Sequence, residues 1–407
     1  MKVLLSSQHF WPENFRINQL AKELQGRGLD VHVLTGKPNY PTGKIFPGYS
    51  PWGISSETSA GIKILRVPIF PRGLKNRIRL TVNYLSFILS ATVVGLWKYR
   101  KERFDVIFVY ATSPLLQAIP ALLIGRLKRI PVFLNVQDLW PDSLLATGYV
   151  RNRTILMIVR WIVRFIYTRS DVILISSRPF ESVIREYKKN AEIIYFPNSA
   201  DSSYLRLSTP RGVGGVVLKD KFNVVFAGNI GAAQAIDVII EAAFILKDFI
   251  NLEFVIVGDG SERSKLSDMV SKLKLKNVTL LGQFSSELMP NILSQASVLL
   301  VTLADRPIFE KTVPNKIQAY MAAGKPIVGA LNGEGAKLIS ESQSGFASPA
   351  EDGMALAKSI TKLYEMSASE RDQLGKNGQQ YFLSHFHEDL LTGRLIEIFT
   401  KFKGSGH

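Results

Sequence analysis

Phe309-Glu310-Lys311-Thr312-Val313-Pro314-Asn315-Lys316, running on through Ile317-Gln318-Ala319-Tyr320-Met321-Ala322-Ala323 to Gly324-Lys325-Pro326, is the most informative segment of the chain. Glu310 and Lys316 bracket a helix start, and Gly324-Lys325-Pro326 is a helix stop. Pro314 suits a first helical turn, where its missing N–H costs nothing. Lys316 then sits beside the open N–H groups of that turn, an arrangement that attracts a phosphate. Taken alone, the segment reads equally well as an amphipathic helix with a surface lysine.

Outward from it, the second half of the chain repeats one unit: an apolar run, a glycine turn and a helical pattern. Strands are expected at Asn223–Phe226, Glu253–Val257, Val278–Leu281, Val298–Val301 and Pro326–Gly329. Turns follow at Gly228-Asn229-Ile230-Gly231, Gly258-Asp259-Gly260, Gly282-Gln283-Phe284 and Gly333-Glu334-Gly335-Ala336. A helix is expected from about Gln234 to Ile245, and a final one from about Glu388 to Lys401. Small residues after a strand let backbone N–H groups approach a diphosphate closely. One such turn is weak testimony, whereas four at one sheet edge are hard to dismiss.

The first half alternates in the same way, with strands at Lys2–Ser6, Val31–Thr35, Ile62–Val67, Asp105–Tyr110, Val132–Val136, Asp171–Ile175 and Ile193–Phe196. Helical stretches lie near 15–26, 77–100, 114–127, 154–168 and 178–188. Continuous Val/Ile/Leu runs between helices imply parallel strands covered on both faces. Residues 201–221, with Thr209-Pro210-Arg211-Gly212, break the alternation and read as a connection. The expected organisation is an N-terminal Rossmann-like domain over 1–200, a second over 201–385, and a C-terminal helix over 386–407 packing back on the first. The fold class is α/β, two doubly wound domains facing across a cleft, with ligands at the carboxyl ends of the strands.

The 407 residues carry a formal charge of +16 and no cysteine. Disulfides and thiolate chemistry are thereby excluded, which suits a reducing cytoplasm. The start, Met1-Lys2-Val3-Leu4-Leu5-Ser6, enters a strand with no signal-peptide layout. Residues 1–200 hold 28 basic and 12 acidic side chains, against 22 and 22 in 201–407, so the first half carries the whole excess. That asymmetry points to an anionic partner, a nucleic acid or an acidic membrane surface. The run from Leu80 to Trp97 is uncharged and just long enough to span a bilayer. It stands between strands that must share one sheet, so a spanning role is rejected. Around residues 153–166, Arg153, Arg160 and Arg164 share a helix face among aliphatic and aromatic residues. That pattern reads either as a core helix with a charged outer stripe or as an interfacial surface for anionic lipid. Basic residues clustered around long apolar helices, rather than interleaved with aromatics on strands, argue against nucleic acid.

The ordered set Gly-Asn-Ile-Gly, Gly-Asp-Gly, Leu-Gly-Gln-Phe, Phe-Glu-x-x-x-Pro-Asn-Lys, Tyr-Met-Ala-Ala-Gly-Lys-Pro and Gly-Glu-Gly resembles the retaining glycosyltransferases of family 4, of GT-B fold. The first loop, Ser7-Gln8-His9-Phe10-Trp11-Pro12-Glu13-Asn14-Phe15-Arg16, is similar to that family's opening, so the resemblance covers nearly the whole chain. Val136-Gln137-Asp138-Leu139-Trp140-Pro141-Asp142-Ser143 resembles a bacterial branch that builds surface polysaccharides such as O-antigen and capsule. The resemblance implies transfer of a sugar, of the N-acetylated deoxyamino kind such as L-FucNAc, from a UDP donor to a lipid-linked or oligosaccharide acceptor. It further implies peripheral association with the inner face of the cytoplasmic membrane and no metal or other cofactor. A nucleotide-sugar epimerase on the same two-domain plan is the alternative enzyme, and a basic nucleic-acid-binding protein a more distant one.

Carried over position by position, Gly228, Asn229 and Gly231 would pack against the donor diphosphate, with Gln234, Arg263 and Asn315 beside it. Gly282, Gln283 and Phe284 would frame the base. Lys316 would neutralise phosphate charge and Glu310 hold sugar hydroxyls. Gly333, Glu334, Gly335 and Ala336 would offer amides and a carboxylate to the donor. In the first domain, Asp138 would deprotonate the acceptor hydroxyl or orient it, and capping its own loop through Asx bonds is the bland alternative. His9, Asn14, Arg16 and Trp140 are the acceptor-side candidates, with a satisfied loop histidine the alternative for His9. The family's second glutamate is replaced by Ala319, preceded by Gln318, and its basic pair after the first glycine turn appears as Asn229 and Gln234. Phosphate charge would therefore fall mainly to Lys316. No Asp-x-Asp pair of the kind that bridges a divalent ion to phosphates occurs.

Overall fold

The computed structural model describes residues 1–73, 77–146, 152–205 and 216–403. Lys75, the turn Thr209–Gly215 and the tail Gly404–His407 lie outside the described residues. The chain divides into two compact units, Met1–Phe196 with Leu391–His407, and Pro197–Leu390.

The first unit is built on an eight-stranded sheet. Its strands are β1 Lys2–Ser6, β2 Asp30–Gly36, β3 Ser55–Ser59, β4 Ile62–Val67, β5 Val106–Ala111, β6 Val132–Val136, β7 Val172–Ile175 and β8 Glu192–Tyr195, in the order β3-β4-β2-β1-β5-β6-β7-β8. All neighbours are parallel except β3, which runs antiparallel to β4. The helices are α1 Arg16–Gly26, α2 Arg77–Lys98, α3 Ile119–Lys128, α4 Asp142–Ala146, α5 Arg153–Arg169 and α6 Phe180–Tyr187.

The second unit carries a six-stranded, wholly parallel sheet of β9 Phe222–Ala227, β10 Leu252–Val257, β11 Val278–Gly282, β12 Val298–Thr302, β13 Ile327–Ala330 and β14 Gly345–Ser348, in the order β11-β10-β9-β12-β13-β14. Its helices are α7 Asp237–Ile245, α8 Arg263–Lys272, α9 Met289–Ser294, α10 Pro307–Glu310, α11 Asn315–Ala322, α12 Gly333–Glu341, α13 Gly353–Glu365 and α14 Ala368–His385, after which α15 Glu388–Phe402 crosses into the first unit. Parallel strands require crossover connections, and those helices cover both faces. Both units are Rossmann-like, the fold class expected from the alternating pattern.

Two edge strands and two boundaries differ from expectation. β3, Ser-Ser-Glu-Thr-Ser, has no apolar residue to announce it. It is held by Arg66 of β4, a fully buried arginine whose Nε donates to Glu57 Oε1 at 2.7 Å and whose guanidinium also donates to the Trp11 carbonyl. β14 is short, opens on Gly345, and is likewise an edge. The helix expected from Gln234 begins at Asp237, because Ala235 takes a left-handed conformation, φ +44°, that interrupts it. Pro314 precedes α11 as its extended capping residue instead of occupying the first turn.

In the first unit, α1 and α15 cover one sheet face. Ile17, Ala21 and Leu24 meet Val3, Leu5 and Val33, while Leu391, Leu395 and Phe399 complete the cluster. Phe399 sets its ring 5.0 Å from Phe133 and 5.8 Å from Phe108, both edge-on, the preferred geometry for aromatic pairs. The opposite face carries α2 and α3. A Cβ on Gly95 of α2 would fall 2.8 Å from Ile124 and 3.2 Å from Leu34, and one on Gly125 of α3 would fall 2.3 Å from Val132. α2 thus lies on the sheet between β4 and β5, both members of it. By length and composition Ile78–Lys98 could cross a membrane, with 28% of the window buried inside the unit.

The terminal helix is therefore part of the first unit's core. Phe399→Ala is expected to lower unfolding free energy by about 3–5 kcal/mol, read from a urea transition followed by first-unit tryptophan fluorescence.

Candidate active site

The carboxyl ends of β9, β10, β11 and β13 open into the four glycine turns, and the first three turns touch one another. Gly228, at φ +140°, donates its N–H to Val257 O at 2.9 Å, and Gly258 donates to Gly282 O at 2.8 Å. A Cβ on Gly258 would lie 1.8 Å from Gly228 O, and one on Gly260 would lie 2.2 Å from Ile230 O. No side chain fits at either place. Gly333, at φ +68°, is equally constrained: its Cβ would lie 2.0 Å from the carbonyl oxygen of Glu310. A Cβ on Gly335 would lie 2.5 Å from Leu331 and 3.2 Å from Pro314, so the start of α12 is set close to the start of α11. Neither helix has a side chain capping its first N–H groups. The first amides of both helices thus lack a side-chain acceptor at the cap, and no partner within their own helix is available to them.

Lys316 enters this assembly from α11. Its Nζ lies 3.7 Å from the centroid of Phe226, the last but one residue of β9, and donates to Gln234 Oε1 at 2.6 Å. Its Cε would sit 2.6 Å from a Cβ on Gly228, so glycine is required there for the lysine to lie across the turn. The side chain as a whole keeps some solvent access, but the ammonium is enclosed. Burial pushes its pKa down to about 7, with no carboxylate close enough to oppose it. Tyr320, four residues on, is buried and braces the same helix beneath β9: its hydroxyl accepts from Ala227 N at 3.0 Å and lies 3.3 Å from Leu300 O.

The other second-unit candidates sit around that centre. Arg263, half exposed, reaches to 3.5 Å from the Cβ position of Gly282 and to 3.7 Å from Asp259. Asn229 is exposed and folds its amide toward Gly231. Gln283 is exposed, while Phe284 packs partly into the core. Glu310 is exposed at the end of α10, and Glu334 and Ala336 are partly exposed in the first turn of α12. Asn315 Oδ1 accepts from Asn198 Nδ2 at 2.8 Å. Gln318 is buried, and its Oε1 has no hydrogen-bond partner among the described residues.

In the first unit the candidates gather at the carboxyl ends of β1, β5 and β6. His9 is 3% exposed, stacked on Phe15 at 4.9 Å, with Nδ1 2.9 Å from Glu13 Oε2. Glu13 Oε1 in turn accepts from the backbone N–H groups of Asn39 and Tyr40 at 2.7 and 2.6 Å. That places His9 inside the loop, its Nδ1 committed. Trp140 is also buried and donates Nε1–H to Ser113 Oγ at 3.1 Å. Asn14 is exposed, and Arg16 opens α1. Tyr110, at the end of β5, lies within electrostatic reach of both Arg16 and Asp138. Burial raises the pKa of Asp138, the direction a proton-accepting carboxylate needs in order to work near neutrality. Arg153, Arg160 and Arg164 are exposed along α5.

Sequence reading missed Phe226 and Tyr320 as parts of the lysine's support, and Asn198 as the partner of Asn315. An aromatic residue just before the first glycine turn was the available signal for Phe226.

Glycine corners in contact, a cationic side chain laid across Gly228 and helix starts without side-chain caps lie at one sheet edge, an arrangement suited to an anion. Comparison with known proteins agrees. Residues 14–199 match the glycosyl transferase 4-like domain, and residues 215–381 match glycosyl transferases group 1. The chain belongs to the glycosyltransferases built from this domain pair, and it is an enzyme of that class with the GT-B fold. It is similar to the putative colanic acid biosynthesis glycosyl transferase WcaI of Escherichia coli, 24% identical over 80% of this chain and 82% of the relative. It is also similar to the probable glycosyltransferase WbjE of Pseudomonas aeruginosa, 27% identical over 77% of this chain and 80% of the relative. Among solved structures, sucrose-phosphate synthase from Thermosynechococcus elongatus superposes with a TM-score of 0.77 at 17% identity, covering 100% of this chain and 99% of that one. Anabaena HepE, in complex with UDP and glucose, gives 0.69 at 15%, covering 98% and 100%. At those identities the structures speak for the fold alone.

An enclosed ammonium with a depressed pKa holds fewer protons folded than unfolded between about pH 7 and 10.5. Stability of the free enzyme therefore rises with pH across that window, and the full penalty is present below it. Lys316→Met, which removes the charge and keeps the stem, is expected to raise the melting temperature by several degrees at pH 6 and much less at pH 10. Calorimetry of both proteins across that range checks it.

Proposed function

We propose that this glycosyltransferase is a retaining enzyme that moves an N-acetylated deoxyamino sugar, such as L-FucNAc, from a UDP donor to a lipid-linked or oligosaccharide acceptor in the synthesis of a bacterial surface polysaccharide. The observation that carries the donor half of this reading is the Lys316 ammonium lying across Gly228 among contacting glycine turns. Relatives named for colanic acid biosynthesis and a fold neighbour holding UDP and glucose support the polysaccharide and nucleotide parts. The epimerase alternative is set aside, since the matched domains and both relatives above are glycosyltransferases.

The chemistry follows from what the residues offer. Sugar transfer runs through an oxocarbenium-like transition state while negative charge grows on the departing diphosphate. The amides at the starts of α11 and α12, with Lys316, are donors already oriented before reaction, which is where electrostatic catalysis is strongest. Before the donor arrives Lys316 is roughly half protonated near pH 7. A diphosphate beside it supplies the missing counter-charge and draws its proton on. Glu310 and Glu334 hold sugar hydroxyls, Arg263 and Gln283 face the nucleotide side, and no side-chain nucleophile is invoked. Asp138, its pKa raised by burial, accepts the proton of the acceptor hydroxyl or steers it, with Tyr110 within electrostatic reach. The basic first unit, with Arg153, Arg160 and Arg164 on α5, rests on the anionic inner face of the cytoplasmic membrane, where a lipid-linked acceptor is presented.

A thermal-shift panel of UDP-, GDP- and dTDP-sugars is expected to single out a UDP-linked acetamido deoxy sugar. Lys316→Ala is expected to abolish that shift and reduce transfer by roughly two to three orders of magnitude. UDP binding by the wild type at pH 8 is expected to take up a proton, read by titration calorimetry in buffers of different ionisation enthalpy. Equal turnover in the variant, or binding without proton uptake, removes Lys316 from the mechanism.

A further inference from the structure

α2 has two unlike faces. Its inner face is fixed to the first unit through Phe87, Ala91, Val94 and Gly95, all buried. Asn83, fully buried on the same side, accepts from Gln8 Nε2 at 2.7 Å and donates Nδ2 to Phe70 O at 2.6 Å. Its outer face is Ile78, Val82, Leu85, Leu89, Val93 and Trp97, each between 38% and 75% exposed. Successive steps of four, three, four, four and four residues set all six along one side of a 3.6-residue helix. At 1.5 Å per residue the stripe runs for roughly 30 Å. Apolar side chains scattered singly over a surface are ordinary, but a continuous row is not.

The charges around the row say what covers it. α2 contains no acidic residue. At its C-terminal end Lys98 and Arg100 lie over the Trp97 ring at 4.5 and 5.7 Å, with Lys101 and Arg103 exposed just beyond, and Arg79 is exposed near the other end. α3 lies between α2 and α5 and touches both, so α5 belongs to the same layer. There Met157, Ile158 and Trp161 are exposed beside Arg160 and Arg164. Apolar rows edged by arginine, lysine and tryptophan match the boundary between anionic headgroups and acyl chains. A helix whose inner face is committed to β2, α3 and Gln8 lies along that boundary and does not cross it.

We propose that α2 docks lengthwise into the headgroup layer of an anionic bilayer, its outer apolar row among the acyl chains and its terminal basic residues on the lipid phosphates. The proposal rests on the membrane reading above and deepens it, making α2 the principal contact and α5 its neighbour. Docking also bears on the acceptor side. Asn83 ties the docked helix directly to Gln8, the residue before His9, so docking fixes the height of that loop above the membrane plane.

The test is flotation of the full chain on phosphatidylcholine vesicles with and without phosphatidylglycerol, comparing wild type, the Leu85→Gln/Leu89→Gln double variant and Arg160→Gln/Arg164→Gln. Both doublets alter exposed residues, and unchanged melting curves confirm intact folds. The wild type is expected to float on the anionic vesicles and to be released by alkaline carbonate. The leucine doublet is expected to lose binding by roughly tenfold or more, and the arginine doublet by less. UDP binding is expected to remain unchanged in both. A wild type that fails to float sinks the membrane reading itself. A floating wild type with an equally floating leucine doublet overturns the α2 assignment alone. Carbonate-resistant protein makes α2 a spanning helix, and a leucine doublet that turns a dimer into a monomer without changing flotation gives the row to a second copy of the chain. Either result overturns the proposal.

Discussion

The backbones at Gly228 and Gly258 meet where even a methyl group has no room, and the carboxyl edge of the second sheet depends on that approach. Because the oxygen of Gly228 occupies the space a Cβ of residue 258 would need, the ends of β9 and β10 can close together. Gly258 in turn donates to Gly282, bringing in the end of β11. The three turns form one ledge of main chain with almost no side-chain bulk. A ligand whose charge is spread over several oxygens is best met by such a ledge, since amides can approach it from many directions at once.

Lys316 is the exception to that neutrality, and the fold pays for it. Its ammonium is held over an aromatic ring and against one amide oxygen, which leaves part of its solvation unreplaced and its pKa near 7. A carboxylate partner would have relieved the penalty and also cancelled the charge. The substitution pattern explains why this chain tolerates the arrangement. Where relatives by resemblance carry a basic pair after the first turn, this sequence has Asn229 and Gln234, so that turn brings no second cation to repel Lys316. Gln234 instead accepts its hydrogen bond, positioned by the left-handed Ala235 that delays the start of α7. The boundary that sequence periodicity misplaced is thus the feature that aims Gln234.

Strands buried on both sides were legible to within about one residue, because a short Val/Ile/Leu run between two helical patterns fits a covered parallel strand and little else. β3 and β14 were not, since these two edge strands carry no such run and are specified by their partners instead, whereas the edge strands β8 and β11 keep Ile193-Ile194 and Leu280-Leu281 and were legible. For β3 that partner is Arg66, whose role depends on Glu57 and Trp11, neither adjacent in sequence. At the site, the glycine corners could be read because their constraint is local to each turn. The contacts of Lys316 with Phe226 and of Tyr320 with Ala227 join segments about ninety residues apart, and no spacing rule links them. His9 shows the other side: a polar residue at a strand end looks available, and its enclosure by Glu13, Phe15 and Tyr40 matches the satisfied loop histidine that was the alternative reading.

The charge asymmetry between the halves acquires a shape once the exposed rows of α2 and α5 are seen. Net positive charge alone would serve nucleic acid or lipid equally well, because phosphates attract it in both. What separates them is the company the cations keep. Nucleic acid offers stacked bases and grooves, and rewards cations interleaved with aromatic faces or carried on a recognition helix. A bilayer offers phosphates above a hydrocarbon layer, and rewards cations standing at the margins of a long aliphatic row. On α2 the basic residues stand at the ends and the interior of the row is Val82, Leu85, Leu89 and Val93. The second unit, with 19 basic against 21 acidic side chains, carries no comparable positive excess. Transfer to a lipid-borne acceptor, as proposed, would ask for this division: a strongly basic unit with exposed apolar rows, and a slightly acidic unit that encloses one cation.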